Sequence, residues 1–250
     1  MIIAKRVQHI SASPTLAITA LVNKMRKEGK DVISFAAGEP DFDTPKHVKD
    51  AAIDAINKGF TKYTATSGIM ELRQAICEKF KRDNRLTYKV ENILVSNGAK
   101  QSLYNLIQVL VDPGDEVLIQ IPYWVSYEEM VKLAEGRCVF IKPKKGLKIT
   151  ADQIEKAITP KTKILMLNSP SNPTGVVYDK EELGEIAEAC VRHNIIVISD
   201  EIYEKLIYGK KHYSIASFND KIFNLTIVVN GASKSYAMTG WRIGYCAGPR

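Results

Sequence analysis

From about residue 90 onward, short β-rich apolar runs alternate with helix-like stretches, and this constrains the fold more than any other feature. The runs are NILVS (92–96), EVLIQI (116–121), CVFIK (138–142), KILMLN (163–168), IIVISD (195–200), LTIVVN (225–230) and RIGYCAG (242–248). Most lack the in–out alternation of a half-exposed strand, which suits a sheet covered on both faces. Between them lie helix-like stretches, notably AKQSLYNLIQVLV (99–111) and DKEELGEIAEACVRHN (179–194). The second carries acidic residues after Asp179 and ends at His193-Asn194, which match helix start and stop signals. The predicted fold is therefore α/β, with a mostly parallel seven-stranded sheet and helices on both faces. Residues 1–90 differ, offering three amphipathic helices, at 13–30, 46–60 and 69–82, that read as an N-terminal helical arm and its continuation.

With 250 residues and 45 % hydrophobic content, the chain can bury a sizeable core. Its net charge of +7 favours anionic partners, whether phosphate, carboxylate or nucleic acid. The densest basic patch, KPKK at 142–145, reads as a solvated loop. Cys77, Cys138, Cys190 and Cys246 are far apart, without metal spacing, and read as reduced thiols. The four histidines are scattered, so no metal site is expected. The start MIIAKRVQHI lacks the apolar core of a signal peptide, and no segment approaches membrane-spanning length. The expectation is a cytoplasmic protein that binds small molecules, not a membrane or nucleic acid.

In an open α/β sheet, ligands bind beyond the carboxyl ends of the strands. Five such ends carry chemically loaded residues: Asn97-Gly98, Pro122-Tyr123-Trp124, NSPSNPTG (168–175), Asp200 and Lys234. Taken singly, Asp200 reads as a cap, Trp124 as core and NPTG as a turn. Together they predict one crevice. Lys234 is an amine able to condense with a carbonyl, and a carboxylate such as Asp200 would keep a protonated pyridine charged. That pairing is the pattern of pyridoxal phosphate enzymes. The glycine turn and helix start of SNGAKQ (96–101), with Arg242, would suit a phosphate. Trp124 offers a face for the ring, and Asn172 and Tyr203 offer donors for a phenolic oxygen.

SKSYAMTGWRIGY (233–245) resembles the lysine signature of the class I/II aminotransferases, the aspartate aminotransferase family of fold-type I pyridoxal phosphate enzymes. NSPSNPTG, SDEIYE, PYWVSY, AAGEPDFDTP (36–45) and YTATSGIMELR (63–73) resemble further motifs of that family in the same order. The resemblance implies that Lys234 holds pyridoxal 5'-phosphate as a Schiff base and then shuttles the substrate proton. It implies that Asp200 pairs with the ring nitrogen, Asn172 and Tyr203 with the phenolic oxygen, and that Trp124 stacks on the ring. Gly98, Ala99, Lys100 and Arg242 would line the phosphate side, with Tyr63 reaching the phosphate of a neighbouring subunit in a homodimer. Gly38 would face the substrate α-carboxylate beside Asn172 and Trp124. Where many members carry a hydroxyl three residues before the lysine, this chain has Gly231, and Ser233 is the candidate substitute.

SPTLAI (13–18) and GAKQ (98–101) resemble the bacterial branch, in which Thr15 and Lys100 would contact a distal carboxylate. The implied reaction moves an amino group from an amino acid such as aspartate to 2-oxoglutarate, with prephenate, alanine or aromatic substrates open. A carbon–sulfur lyase or synthase on the same cofactor is the alternative chemistry, and an inert nucleic-acid-binding scaffold the alternative class. The resemblance divides the chain into 1–45, an arm and part of a small domain, and 46–250, the cofactor-binding domain. It implies that a C-terminal small domain, which would supply an arginine for the α-carboxylate, lies outside the 250 residues.

Overall fold

A computed structural model describes residues 3–35 and 38–249; Ala36 and Ala37 of the AAGEPDFDTP motif lie outside the described residues. All seven predicted runs form strands: β1 Ile93–Ser96, β2 Glu116–Gln120, β3 Arg137–Ile141, β4 Thr162–Asn168, β5 Ile196–Asp200, β6 Thr226–Gly231 and β7 Gly244–Ala247. They make one sheet in the order β1-β7-β6-β5-β4-β2-β3. The pairs β2–β3, β2–β4, β4–β5 and β5–β6 are parallel, and β7 runs antiparallel to both β6 and β1.

The helices are α1 Pro14–Lys27, α2 Lys46–Asn57, α3 Met70–Lys79, α4 Ala99–Leu110, α5 Ser126–Leu133, α6 Ala151–Ala157, α7 Lys180–Arg192, α8 Asp220–Phe223 and α9 Ala232–Ser235. Successive strand residues point to opposite faces. Leu165, Leu167 and Val197 join a cluster with Ile154 of α6 and Leu183 and Ile186 of α7. Their neighbours Ile164, Met166 and Ile198 join another with Leu103 and Ile107 of α4 and Met130 and Val131 of α5. Both faces of the sheet are covered, which explains the unalternating apolar runs.

Local signals place the helix ends. Asp179 caps α7 by accepting from the Glu182 N–H at 3.0 Å, and Glu182 accepts the Asp179 N–H at 2.8 Å. Ser13 caps α1, with Pro14 at its first position. The stretch at 69–82 departs from a regular helix. α3 ends at Lys79 and continues as a wide turn over Phe80–Asn84, with Arg85 in the left-handed region at φ 59°. This turn buries Lys79 and Asn84, which meet the buried Glu204; Asn84 Nδ2 donates to Glu204 at 2.8 Å.

The amphipathic faces of α1 and α2 stay open. Leu16, Ile18 and Leu21 of α1 and Ile53 and Ile56 of α2 are exposed, and α1 buries only Val22. The four cysteines are free, Cys190 and Cys246 being buried. Among the described residues no helix is long and apolar enough to cross a membrane.

Candidate active site

Four of the five strand-end segments line one cavity of about 770 Å³, and Ala99 and Lys100, which follow the fifth, line it too. Its lining includes Thr15, Gly38, Ala99, Lys100, Trp124, Asn172, Asp200, Tyr203, Ser233, Lys234 and Arg242, eleven of the thirteen residues singled out from the sequence. Gly98 lies directly beneath the Arg242 guanidinium. Tyr63 is fully exposed and does not line this cavity in its own chain. A neighbouring hollow of about 830 Å³, between the N-terminal arm and α5, shares Lys100 and Arg242 but holds neither Lys234 nor Asp200.

Asp200 ends β5 and is buried, at 3 % exposure. Its Oδ2 accepts from the Tyr127 hydroxyl at 2.7 Å and its Oδ1 from the Ile202 N–H at 3.2 Å. Burial raises its pKa to about 6, against the pull of these two donors, and the neighbouring Glu201 adds to the rise. No lysine, arginine or histidine of the described residues pairs with it within salt-bridge distance. A buried carboxylate held this way is prepared for a cation from outside the protein.

Lys234 sits in α9, immediately after β6, and donates to the Gly38 carbonyl. Burial lowers its pKa; Glu39 opposes this and Arg242 adds to it. Its ammonium lies 5.6 Å from the Tyr203 ring centroid. Burial also raises the Tyr203 phenol, as does Asp200, while Asn172 opposes with a 3.5 Å bond from its Nδ2 to the Tyr203 oxygen. A depressed amine and a row of donors fit the capture of a carbonyl group.

Gly98 has φ +88° and precedes α4; a Cβ there would stand 2.3 Å from Arg242 Nη2. Only a glycine leaves this space. Gly244 is tighter still, since its Cβ would fall 2.1 Å from the Ala99 nitrogen. Arg242, itself at φ 56°, donates to the Thr239 and Asn97 carbonyls at 3.0 and 3.4 Å. A guanidinium over a glycine-led helix start is a cradle for a phosphate. Lys100 extends from the first turn of α4, 4.8 Å from the Trp124 ring centroid; burial, then Arg242, lower its pKa. Position 231 holds no hydroxyl for a steric reason. A Cβ there would lie 2.8 Å from the Ile243 carbonyl, and the buried Ser233 offers a hydroxyl to the cavity nearby in the chain.

Two residues of the site were not singled out from the sequence. Tyr127 lies in PYWVSY without a signal of its own there, and its bond to Asp200 brings it into the site. Asn168 accepts the Asn172 N–H at 2.7 Å and donates to the Asp200 carbonyl at 2.9 Å, tying two cavity loops together. Its place at the end of β4, facing Asp200 in register, was the available signal.

These residues fit pyridoxal 5'-phosphate on the chain's own features: an uncompensated buried carboxylate, a depressed amine, and a cradle that a Cβ would fill. The family described as Aminotransferase class I and II matches residues 30–250. An aspartate aminotransferase of Bacillus sp. (strain YM-2) is 55 % identical over 99 % of this chain and 64 % of its own length. An aspartate/prephenate aminotransferase of Nitrosomonas europaea is 51 % identical over 100 % of the chain and 64 % of its own length. A solved aspartate aminotransferase of Thermus thermophilus with maleate superposes with a TM-score of 0.96 at 47 % identity, covering 100 % of this chain and 65 % of that one. The chain spans just under two thirds of the length of these relatives.

Proposed function

Since the chain belongs to the class I and II aminotransferase family, we propose that the natural protein is a pyridoxal phosphate-dependent transaminase using aspartate as donor and 2-oxoglutarate as acceptor. The observation that carries this is Asp200, a buried carboxylate without a cationic partner among the described residues, in one cavity with the depressed amine of Lys234. When bound, the cofactor supplies an aldehyde that reacts with amines and a protonated ring that accepts the electron pair left at the substrate Cα.

The chain's residues divide the remaining work. Lys234 would hold the cofactor's aldehyde group and would serve as the base for the proton at the substrate Cα. Its lowered proton affinity keeps a larger share of the amine free near neutral pH. Asp200 pairs with the ring nitrogen and keeps it protonated. Asn172 and Tyr203 donate to the phenolic oxygen, which their 3.5 Å contact lets them do side by side. Arg242, Gly98, Ala99 and Ser233 hold the phosphate, and Trp124 covers the ring.

Gly38 and Asn172 line the cavity and are assigned to the substrate α-carboxylate. Thr15 and Lys100 border the same cavity and are assigned to the distal carboxylate. An anion there offsets both the depressed ammonium of Lys100 and its unfavourable place in the first turn of α4. Residues 1–45 are assigned to the arm and part of a small domain, and 46–250 to the cofactor domain. The open faces of α1 and α2 and the exposed Tyr63 support a homodimer in which Tyr63 serves the partner's phosphate. A cytoplasmic location goes with this reading. The N. europaea relative's name makes prephenate a further acceptor to try.

The test is an assay of the purified full-length protein loaded with pyridoxal phosphate. Aspartate with 2-oxoglutarate should yield oxaloacetate and glutamate, and Lys100→Ala should raise KM for aspartate far more than for alanine. Pyruvate release from cysteine conjugates without amino transfer would replace this reading with a lyase.

A further inference from the structure

Among the described residues, each oxygen of Asp200 receives one hydrogen bond, and one of the two comes from a side chain. That side chain is Tyr127, 2 % exposed in the first turn of α5. A carboxylate has no hydrogen to give, so the phenol must donate. Tyr127 has little freedom to do anything else. Its N–H is held by the Trp124 carbonyl at 3.0 Å, and the Trp124 ring meets it edge-on at 5.4 Å between centroids. One turn of chain thus sets an indole over the cavity and a hydroxyl against Asp200.

The other groups near Asp200 do not substitute for this donor. Tyr203, just past β5, turns its hydroxyl to Asn172. Glu201 faces away from Asp200 and is held by Ser199 and Ser214 at 2.9 and 2.6 Å and by His212 at 2.9 Å. Ile202 contributes its backbone N–H, and Asn168 bonds the Asp200 main-chain carbonyl rather than its carboxylate.

Resting on the cofactor role given to Asp200 above, we propose that Tyr127 is a positioning residue whose hydroxyl aims the Asp200 carboxylate into the cavity and keeps it ionised for the cofactor's ring nitrogen. Burial pulls Asp200 toward protonation, and the phenol is the largest force holding it back. Without that donor the proton affinity of Asp200 should rise about tenfold, moving its titration up by about one pH unit.

The experiment measures the dissociation constant of pyridoxal phosphate against pH for the full-length protein and its Tyr127→Phe and Asp200→Asn variants. Ratios between variants cancel the cofactor's own titration. Wild-type affinity should fall as pH drops through about 6. In Tyr127→Phe the fall should begin about one pH unit higher, with the two curves meeting above about pH 8. Asp200→Asn should lack the step. Curves that superimpose, or that differ by a constant factor at every pH, would overturn the proposal. If wild type shows no step, or no binding, the cofactor role of Asp200 falls and takes this proposal with it. Should Tyr127→Phe fail to fold, site-specific replacement by difluorotyrosine supplies the opposite perturbation. The more acidic phenol should shift the step to lower pH, and an unmoved or raised step would refute the proposal.

Discussion

Replacing the residue assigned to the ring nitrogen should make the cofactor-free protein more stable. Asp200 is buried, and its pKa rises from 3.8 to about 6. At about 1.4 kcal/mol for each tenfold in proton affinity, that rise corresponds to a penalty of about 3 kcal/mol. Between pH 3.8 and about 6 the native state keeps a proton that the unfolded chain has released. Stability therefore falls as pH rises through that window, and the full penalty applies above it. Asp200→Asn removes the charge. Its amide can accept from Tyr127 or from the Ile202 N–H but not from both, which costs about 1 kcal/mol. The net gain is about 2 kcal/mol at pH 8. Near pH 4 the gain should vanish and the lost hydrogen bond should leave the variant slightly weaker. Urea unfolding of the cofactor-free full-length wild type and variant at the two pH values measures both quantities. The same variant should be crippled in amino transfer. A difference independent of pH, or a variant weaker than wild type at pH 8, would refute a charge held uncompensated at this position.

The other predictions concern the cradle and the core. Gly98→Ala places a Cβ 2.3 Å from Arg242 Nη2, a mobile side-chain end, at a φ of +88°. It should cost about 1–3 kcal/mol of stability, because φ +88° with ψ 157° is a region essentially reserved for glycine, and weaken pyridoxal phosphate binding at least tenfold because Arg242 is displaced. Fluorescence titration beside a urea melt separates the two effects. Gly244→Ala meets the Ala99 and Gly98 backbone at 2.1 and 2.2 Å, and should abolish soluble expression or lower Tm sharply. Lys79→Ala leaves Glu204 buried without its cation and should cost about 3–5 kcal/mol by urea unfolding, with the cofactor affinity of the folded fraction unchanged.

What the sequence reveals here is what local pattern encodes. The seven apolar runs, the Asp179 capping box and the polar residues at strand ends are each visible within a few neighbours. Burial and pairing between distant segments are not. Lys79 lies in the amphipathic stretch 69–82, where nothing marks it as buried, because its partner Glu204 is far along the chain. Tyr127 looks like any packing aromatic until α5 is laid against β5. The antiparallel course of β7 is likewise hidden, since nothing within the run RIGYCAG states the direction in which it pairs. Gly231 reads as a missing hydroxyl, and only the Ile243 carbonyl pressed against it explains the absence of a side chain.

The most direct measurement is borohydride reduction of the full-length protein incubated with pyridoxal phosphate, followed by peptide mapping. The predicted result is a single modified lysine, Lys234, which disappears in Lys234→Ala. Modification at another lysine, or none at all while the fold is intact, would contradict the assignment of this cavity.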